Sequence, residues 1–258
     1  MADLHAWLLA LPWLLALGAL TWLLSLRLHN VSIVDSVWSM MPATAALCYA
    51  WPWTGPLDAR RWATLVLVLL WAMRLSLYIT VRNAGHGEDR RYQEIRRRND
   101  PGFAFKSLYL VFGLQAVLAW IVSLPLLPAL TRGSPWNTVD GVAAALVMFG
   151  LAWETIGDAQ LARFKSDPAN RGRVMDGGLW RYSRHPNYFG ECCVWWGFWL
   201  FALAAGAWWS IVSPLLMTTL LLRVSGVSLL EKDIGERRPA YRDYIARTSA
   251  FLPWRPRT

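Results

Sequence analysis

The sequence predicts an all-α, polytopic membrane protein with seven transmembrane helices. Of its 258 residues, 55% are hydrophobic, and residues 7–26, 36–53 and 108–130 carry no charged side chain. A helix needs about 20 apolar residues to cross a bilayer, so each of these runs is long enough or nearly so. Four further spans complete the set: residues 62–81, which contain Arg74, residues 138–156, which contain Asp140 and Glu154, and residues 192–222, which Gly206 divides into two.

The distribution of basic residues predicts that the N-terminus lies outside and the C-terminus in the cytoplasm. The first span is expected to be a retained helix, because no basic segment precedes it and no convincing small-residue cleavage site follows it. In this orientation 22 of the 26 Lys and Arg residues fall in cytoplasmic segments, as the positive-inside rule requires. We therefore expect a single seven-helix domain over residues 1–258, with cytoplasmic loops at 82–107 and 158–187 and a cytoplasmic tail at 223–258.

The charge and cysteine content narrow the classes of partner. The net charge of +9 does not indicate nucleic acid, because the topology rule alone accounts for most of the cations. Membrane lipids are the expected partners. The three cysteines predict no disulfide framework, and the four scattered histidines show no metal-ligand spacing. Function is therefore expected in three polar cytoplasmic segments.

The first polar segment is "RNAGHGEDRRYQEIRRRNDPG", residues 82–102. Its asparagine and glycines interrupt the preceding helix. The arginines at 96–98 are typical of a solvated hairpin that obeys the charge rule. Asn83, Glu88, Asp89 and Tyr92 are better candidates for function, because acidic residues gain nothing from that rule.

The second polar segment is "ETIGDAQLARFKSDPANRGRVMDGG", residues 154–178. Glu154 and Asp158 are four residues apart and share one helix face, and Arg163 and Lys165 follow at the membrane boundary. A carboxylate at this depth is costly unless it is paired or faces a polar cavity. Two interpretations stay open: an ion pair with an arginine of another helix, or a site that faces a ligand.

The third polar segment is "LWRYSRHPNYFGE", residues 179–191, together with residues 223–254. The proline after His185 suits the first turn of a helix, whose free backbone N–H groups attract anions. Asn187 and Glu191, four residues apart, project from one side of this helix. The guanidinium groups of Arg173 and Arg184 are suited to bidentate phosphate binding. The segment therefore indicates an anion-binding mouth; His185 is either part of it, a proton donor, or a loop residue.

The stretches "GGLWRYSRHPNYFGE" and "EKDIGERRPAYRDYIARTSAFLPW" resemble the C-terminal signature of the membrane steroid 5-alpha reductases and sterol C14 reductases, and most closely that of their bacterial relatives. The isoprenylcysteine carboxyl methyltransferases share a similar arginine-histidine-proline motif. The resemblance implies a seven-helix bundle that binds NADPH from the cytoplasm and takes a lipid-like enone from the membrane. The positions that match the cofactor contacts of the family are Asn83, Asp158, Arg163, Lys165, Arg173, Tyr182, Asn187, Glu191, Arg223 and Glu231, to which Arg184 and His185 are added as anion-binding residues, with Asp233 and Tyr241 as further matches.

The resemblance also implies a proton donor. The steroid 5-alpha reductases place their catalytic glutamate seven residues before a proline, and Asp35 stands at that distance from Pro42. The tyrosine position of the family falls on Trp71, but Tyr78 lies seven residues further on and on about the same helix face. Asp35 and Tyr78 are therefore the expected catalytic pair. The structural alternative for Asp35 is a helix N-cap.

The expected function is NADPH-dependent reduction of the carbon–carbon double bond of a hydrophobic enone, a 3-oxo-4-ene steroid or sterol-like lipid, by an integral protein of a bacterial inner membrane. One alternative is a membrane methyltransferase that uses S-adenosylmethionine, although paired glutamates typical of that family are replaced by Glu231 and Lys232. The other is a non-catalytic lipid-binding membrane protein, because a fold does not fix a function.

Overall fold

A computed structural model describes most of the chain. The described residues are 2–51, 58–224, 226–227, 231 and 239–257. Within these ranges the protein is all-helical and contains no strand, as the sequence predicts. The predicted contact Asp233 lies outside the described residues, as does Lys232.

The helices follow one another with short connections. In chain order they are α1 (Ala2–Leu28), α2 (Ile33–Trp38), α3 (Met40–Ala50), α4 (Ala59–Asn83), α5 (Arg90–Asn99), α6 (Phe103–Ser107), a π-helical segment (Leu108–Gly113), α7 (Leu114–Val122), α8 (Leu126–Thr131), α9 (Thr138–Ser166), 3₁₀ turns at Pro168–Asn170 and Gly178–Arg181, α10 (Pro186–Ala204), a 3₁₀ turn at Trp208–Ile211, α11 (Val212–Thr219), a second π-helical segment (Leu220–Val224) and α12 (Ala240–Arg247).

Four helices of the described chain are long and apolar enough to cross a membrane, so the protein is a membrane protein. They are Asp3–Leu28, Ala59–Asn83, Phe103–Val122 and Thr138–Ser166. Each overlaps a span that the sequence predicts, but the third ends at Val122, whereas the predicted span extends to residue 130. The third is continuous from α6 through the π-helical segment to α7 and begins five residues earlier than predicted.

The other three predicted spans coincide with shorter or more polar helices. Of the predicted span 36–53, the described residues 36–51 do not form one helix: α2 and α3 meet at Ser39, whose hydroxyl donates a hydrogen bond to the carbonyl of Ala72 on α4. The stretch 192–222 divides at Gly206, as predicted, because this glycine adopts a left-handed conformation with φ of 75°. The seven-span arrangement and the orientation of the termini therefore stay predictions.

The chain divides into two compact units. Unit 1 comprises residues 1–137 and Phe201–Ser210, and unit 2 comprises Thr138–Leu200 and residues 211–258. In unit 1, α1 packs against α3 and α7. Trp7 and Trp120 join α1 to α7, because their rings stack at 3.7 Å and each indole N–H donates to the backbone carbonyl of the other residue.

Unit 2 is built on close contact between α9 and α10. A Cβ atom on Gly190 would lie 2.8 Å from the carbonyl oxygen of Gly150, and one on Gly197 would lie 2.5 Å from the side chain of Val147. Real Cβ atoms do not approach other atoms this closely, so the two helices can pack at this distance only where glycine is present. This contact sets the position of the polar residues at the start of α10.

Candidate functional site

The loop before α10 is fixed to the last turns of α9. The indole N–H of Trp180 donates to the carbonyl of Gly157 at 2.9 Å, and the amide of Leu179 donates to Oε1 of Gln160 at 2.9 Å. Gly178 precedes them with φ of 59°, and a Cβ there would lie 2.5 Å from the Gln160 side chain. Helix α10 then begins at Pro186, which confirms the predicted helix start.

Buried polar side chains collect where α9 and α10 meet. Nδ2 of Asn187 donates to Oδ1 of Asp158 at 3.3 Å, and Asp158, Glu154 and Glu191 are all buried. Carboxylates in such surroundings require polar or charged partners. The structure therefore brings together two of the predicted cofactor contacts, Asp158 and Asn187, and buries a third, Glu191, one turn further along α10.

A second cluster joins this loop to Glu231. Nε and Nη2 of Arg184 donate to the two carboxylate oxygens of Glu231, both at 2.8 Å, and Nε2 of His185 lies 2.9 Å from the same carboxylate. Partial burial alone would raise the pKa of Glu231, but the hydrogen bonds from His185 and Arg184 lower it to about 2. Glu231 is therefore an ionised carboxylate held between two basic side chains.

The third nitrogen of Arg184 binds backbone. Its Nη1 donates to the carbonyl of Ile245 at 2.9 Å and to that of Thr248, so all three guanidinium nitrogens have protein acceptors. This geometry makes Arg184 a residue that fastens the chain after α12 to the loop before α10. Its predicted role as a phosphate ligand is not tested by these contacts and stays a prediction.

We call residues 248–257 the strap, because its backbone crosses the loop before α10. The amide of Arg184 donates to the carbonyl of Ser249 at 2.9 Å, and the hydroxyl of Ser183 donates to that of Phe251 at 2.8 Å. The amide of Trp254 donates to the carbonyl of Tyr182 at 2.9 Å. The conformation of residues 180–185 therefore depends on chain that follows about 65 residues later.

The cations predicted to bind phosphate lie further out. Arg163 and Lys165 occupy the exposed last turn of α9, and exposed Arg173 donates a 3.4 Å hydrogen bond to Oδ1 of Asn170. Tyr182 is 41% exposed, and Arg223 is exposed in the second π-helical segment. These five residues stay predicted cofactor contacts.

A separate polar network in unit 1 surrounds Asp35. Oδ1 of Asp35 accepts a 2.6 Å hydrogen bond from the hydroxyl of Tyr92, and Oδ2 accepts one of 2.8 Å from Nη2 of Arg91. The N-cap of α2 is Ser32, with Asp35 in the first turn, so the structural alternative of an N-cap role does not describe Asp35. Asp35 instead joins α2 to α5.

The segment 82–102 holds this network in place. Asp89 caps α5 by accepting from the amide of Arg91, and Glu88 accepts from the amide of Val31 and from the guanidinium of Arg96. Burial, together with the negative charge of Asp35, raises the pKa of Tyr92, so its hydroxyl keeps its proton. Glu88, Asp89 and Tyr92, which the sequence indicates as functional candidates, thus belong to one network with Asp35.

The two other predicted residues of unit 1 lie near the end of α4. The ring of Tyr78 lies between the guanidinium groups of Arg74 and Arg82, 5.5 and 5.7 Å from its centroid. Oδ1 of Asn83 accepts a 3.1 Å hydrogen bond from Nε of Arg82. In the structure, the tyrosine whose hydroxyl donates a hydrogen bond to Asp35 is Tyr92. The catalytic role of Tyr78 stays a prediction.

Sequence reasoning missed Arg91 and did not connect Tyr92 with Asp35. The two residues are 56 and 57 positions from Asp35 in the chain, and neither falls at a spacing that marks a motif. The available signal was the carboxylate itself, because an acidic residue beside a membrane span needs a basic or hydrogen-bonding partner.

Comparisons with known proteins identify the family to which this fold and these three polar clusters belong. The chain belongs to the family DUF1295, described as proteins of unknown function, whose model matches residues 21–248. This is a steroid 5-alpha reductase-like family. The chain is also similar to the uncharacterized protein C594.04c of Schizosaccharomyces pombe, with 27% identity over an alignment 275 positions long. The alignment covers 92% of this chain and 76% of that protein. No solved structure matches the chain.

Proposed function

We propose that this protein uses NADPH to reduce the carbon–carbon double bond of a hydrophobic enone, either a 3-oxo-4-ene steroid or a sterol-like lipid. The observation that carries the proposal is the hydrogen bond from half-buried Asn187, at the start of α10, to the buried carboxylate of Asp158 on α9, with the buried Glu191 one turn further along α10 and a loop rich in cations before it. Membership of a steroid 5-alpha reductase-like family supports the same class of reaction.

The chemistry of these side chains fits a phosphorylated pyridine dinucleotide. The carboxylate of Asp158 and the amide of Asn187 are suited to ribose hydroxyls and a carboxamide, which need both donors and acceptors. Arg163, Lys165 and Arg173 provide the cations for the phosphates, because guanidinium and ammonium groups bind phosphate oxygens strongly. The cofactor, when bound, supplies the hydride. Arg184 and Glu231 position the loop that leads into α10, the helix that carries Asn187.

The reduction also needs a hydrogen-bond donor for the enone oxygen, where negative charge develops. The resemblance assigns this role to Asp35, which would have to be protonated to donate; in the structure both of its oxygens accept hydrogen bonds, from Tyr92 and Arg91, so the group of this network that carries a proton is the Tyr92 hydroxyl. The hydroxyl of Tyr92 keeps its proton and is held at 2.6 Å from the carboxylate, so it is the tyrosine that Asp35 orients. Tyr78 is the alternative tyrosine. One hydride and one proton are added to the double bond, which leaves a saturated ketone.

The proposal includes an orientation. The N-terminus lies outside and the C-terminus in the cytoplasm of a bacterial inner membrane, because this arrangement places most Lys and Arg residues inside. The cofactor loop then faces the cytoplasm, where NADPH is present. The hydrophobic substrate enters from the membrane.

The test is cofactor binding, measured by thermal stabilisation of the purified protein. A ligand that binds only the folded state raises the melting temperature, so NADPH should stabilise the protein. Loss of the 2′-phosphate removes charge-assisted hydrogen bonds, and NADH should therefore bind at least about tenfold more weakly. Arg163→Gln and Lys165→Gln should reduce this preference, whereas Arg171→Gln, an exposed control on the same loop, should not.

Two results would reject the proposal. Equal affinity for NADPH and NADH would remove the assignment of the loop cations, and no stabilisation by either cofactor would remove the cofactor itself. Stabilisation by S-adenosylmethionine instead would assign the protein to the methyltransferase class.

A second candidate is a non-catalytic lipid-binding protein. The observation that favours it is that Arg184, His185 and Glu231 bind one another and nearby backbone carbonyls. A phosphate ligand would compete with these contacts. Copurified lipid without any bound nucleotide, identified by mass spectrometry, would favour this candidate.

A further inference from the structure

The strap presents large apolar and basic side chains to its surroundings from a fixed backbone. Leu252 and Trp254 are 64% and 74% exposed, and Arg255 and Arg257 are exposed as well. Hydrogen bonds fix the backbone that carries these side chains. The amide of Trp254 donates to the carbonyl of Tyr182, and the amide of Arg257 donates to the carbonyl of Arg247 at 2.8 Å. The exposure therefore belongs to an ordered surface.

The level of this surface relative to the membrane follows from α9. Its 29 residues are about 43 Å long, whereas the hydrocarbon core is about 30 Å thick. About 20 residues from Thr138 onward fill the core, so the boundary falls near Gly157. Ile156 is the last exposed large apolar side chain of α9, and the charged Arg163 and Lys165 follow it.

The strap lies at this boundary. Trp180 is bonded to the carbonyl of Gly157, and two residues later the carbonyl of Tyr182 accepts the amide of Trp254. Tyr182 is itself 41% exposed, so an aromatic pair stands at the level where α9 leaves the hydrocarbon. Tryptophan and tyrosine favour this level, because they have an apolar ring and a polar N–H or O–H group.

The charge of the strap selects the lipid. Residues 248–257 contain two arginines and no acidic residue, and the neighbouring Arg181 is also exposed. Guanidinium groups pair with phosphate oxygens, and anionic lipids attract basic residues that lie within a Debye length of the surface.

We propose that the strap is an interfacial anchor, in which Trp254 and Leu252 enter the headgroup region and Arg255 and Arg257 bind anionic phospholipid headgroups. Because the amide of Arg184 and the hydroxyl of Ser183 bind carbonyls of the strap, anchoring also supports the loop before α10. The lipid composition of the membrane would then control the stability of that loop. This inference depends on the membrane location and not on the proposed reaction.

Hydrogen exchange of the Trp254 and Arg257 amides tests the anchor. The full chain is placed in nanodiscs of pure phosphatidylcholine and in nanodiscs that also contain phosphatidylglycerol. Both amides should exchange about tenfold more slowly in the anionic nanodiscs, because two or three arginines gain headgroup contacts there. High salt should remove the difference, since it screens surface charge.

Substitutions separate the two parts of the anchor. The double variant Arg255→Gln/Arg257→Gln should exchange at the same rate in both lipids, and Trp254→Ala should exchange faster than the wild type in both. Arg171→Gln, which removes an exposed arginine outside the strap, should behave as the wild type. These side chains are exposed, so the fold should be retained, and the exchange of α9 amides checks this.

Three outcomes would overturn the proposal. Equal exchange of the wild type in neutral and anionic nanodiscs would exclude headgroup binding. A difference that survives in the double arginine variant would show that these two arginines are not the groups that bind the headgroups. Protection seen only in native membranes, and not in purified nanodiscs, would assign the surface to a protein partner.

Discussion

Replacing Gly190 with alanine should destabilise the protein, because α9 and α10 touch through their backbones at this position. The new Cβ would lie 2.8 Å from the amide nitrogen of Glu154 and 2.8 Å from the carbonyl oxygen of Gly150, whereas ordinary contacts begin at 3.4 Å. One helix must therefore move by about 0.6 Å or the contact must stay compressed. Overpacking of this kind costs about 1–3 kcal/mol, and the higher helix propensity of alanine returns up to about 1 kcal/mol.

A net loss of about 1–2 kcal/mol should lower the melting temperature by about 2–8 °C for a chain of this size. Tryptophan fluorescence during heating in detergent measures it, and Gly141→Ala is the matched control. Gly141 lies on α9, and a Cβ atom there would have no neighbour within 4 Å, so its replacement should be neutral or stabilising. If Gly190→Ala melts at the same temperature as Gly141→Ala, the two helices do not approach each other as described.

Three further predictions concern the polar clusters. Glu231 has a lowered pKa of about 2, so its contribution to stability is complete above its ordinary pKa of 4.5 and is lost as the pH falls toward 2; Glu231→Gln should flatten the pH dependence of the melting temperature in this range. Tyr92→Phe removes a hydrogen bond to the charged carboxylate of Asp35 and should cost about 1.5–3 kcal/mol in thermal or denaturant unfolding. Asp35→Asn and Tyr78→Phe should keep NADPH binding and lose enone reduction in a turnover assay, and full turnover in both variants would reject the assigned proton donors.

The fold class could be predicted because membrane spans have a strong local signal. About 20 apolar residues without charge are sufficient evidence for a span, and four of the predicted spans coincide with long apolar helices. The helix break within the predicted span 36–53 was harder to predict, because an uncharged stretch does not show where a helix breaks. The break at Ser39 comes with a hydrogen bond to Ala72, a residue 33 positions away, which no local pattern reveals.

The site was predictable where the residues form a local motif. The start of α10 at Pro186 follows from the conformational limits of proline, and Asn187 and Glu191 share a helix face by their spacing. The partners of Arg184 could not be predicted in the same way. Its cationic side chain is equally suited to a phosphate or to the carboxylate of Glu231, and only the tertiary structure shows that Glu231 and two backbone carbonyls surround it.

The dependence of the loop before α10 on the strap has a consequence for biosynthesis. A ribosome makes Arg184 long before Ile245 and Thr248, whose carbonyls accept its hydrogen bonds. Until those residues emerge, the nascent chain carries a guanidinium group without its final acceptors. Translation that stops early should therefore leave a product that proteases recognise and remove, even though α9 and α10 have already been synthesised.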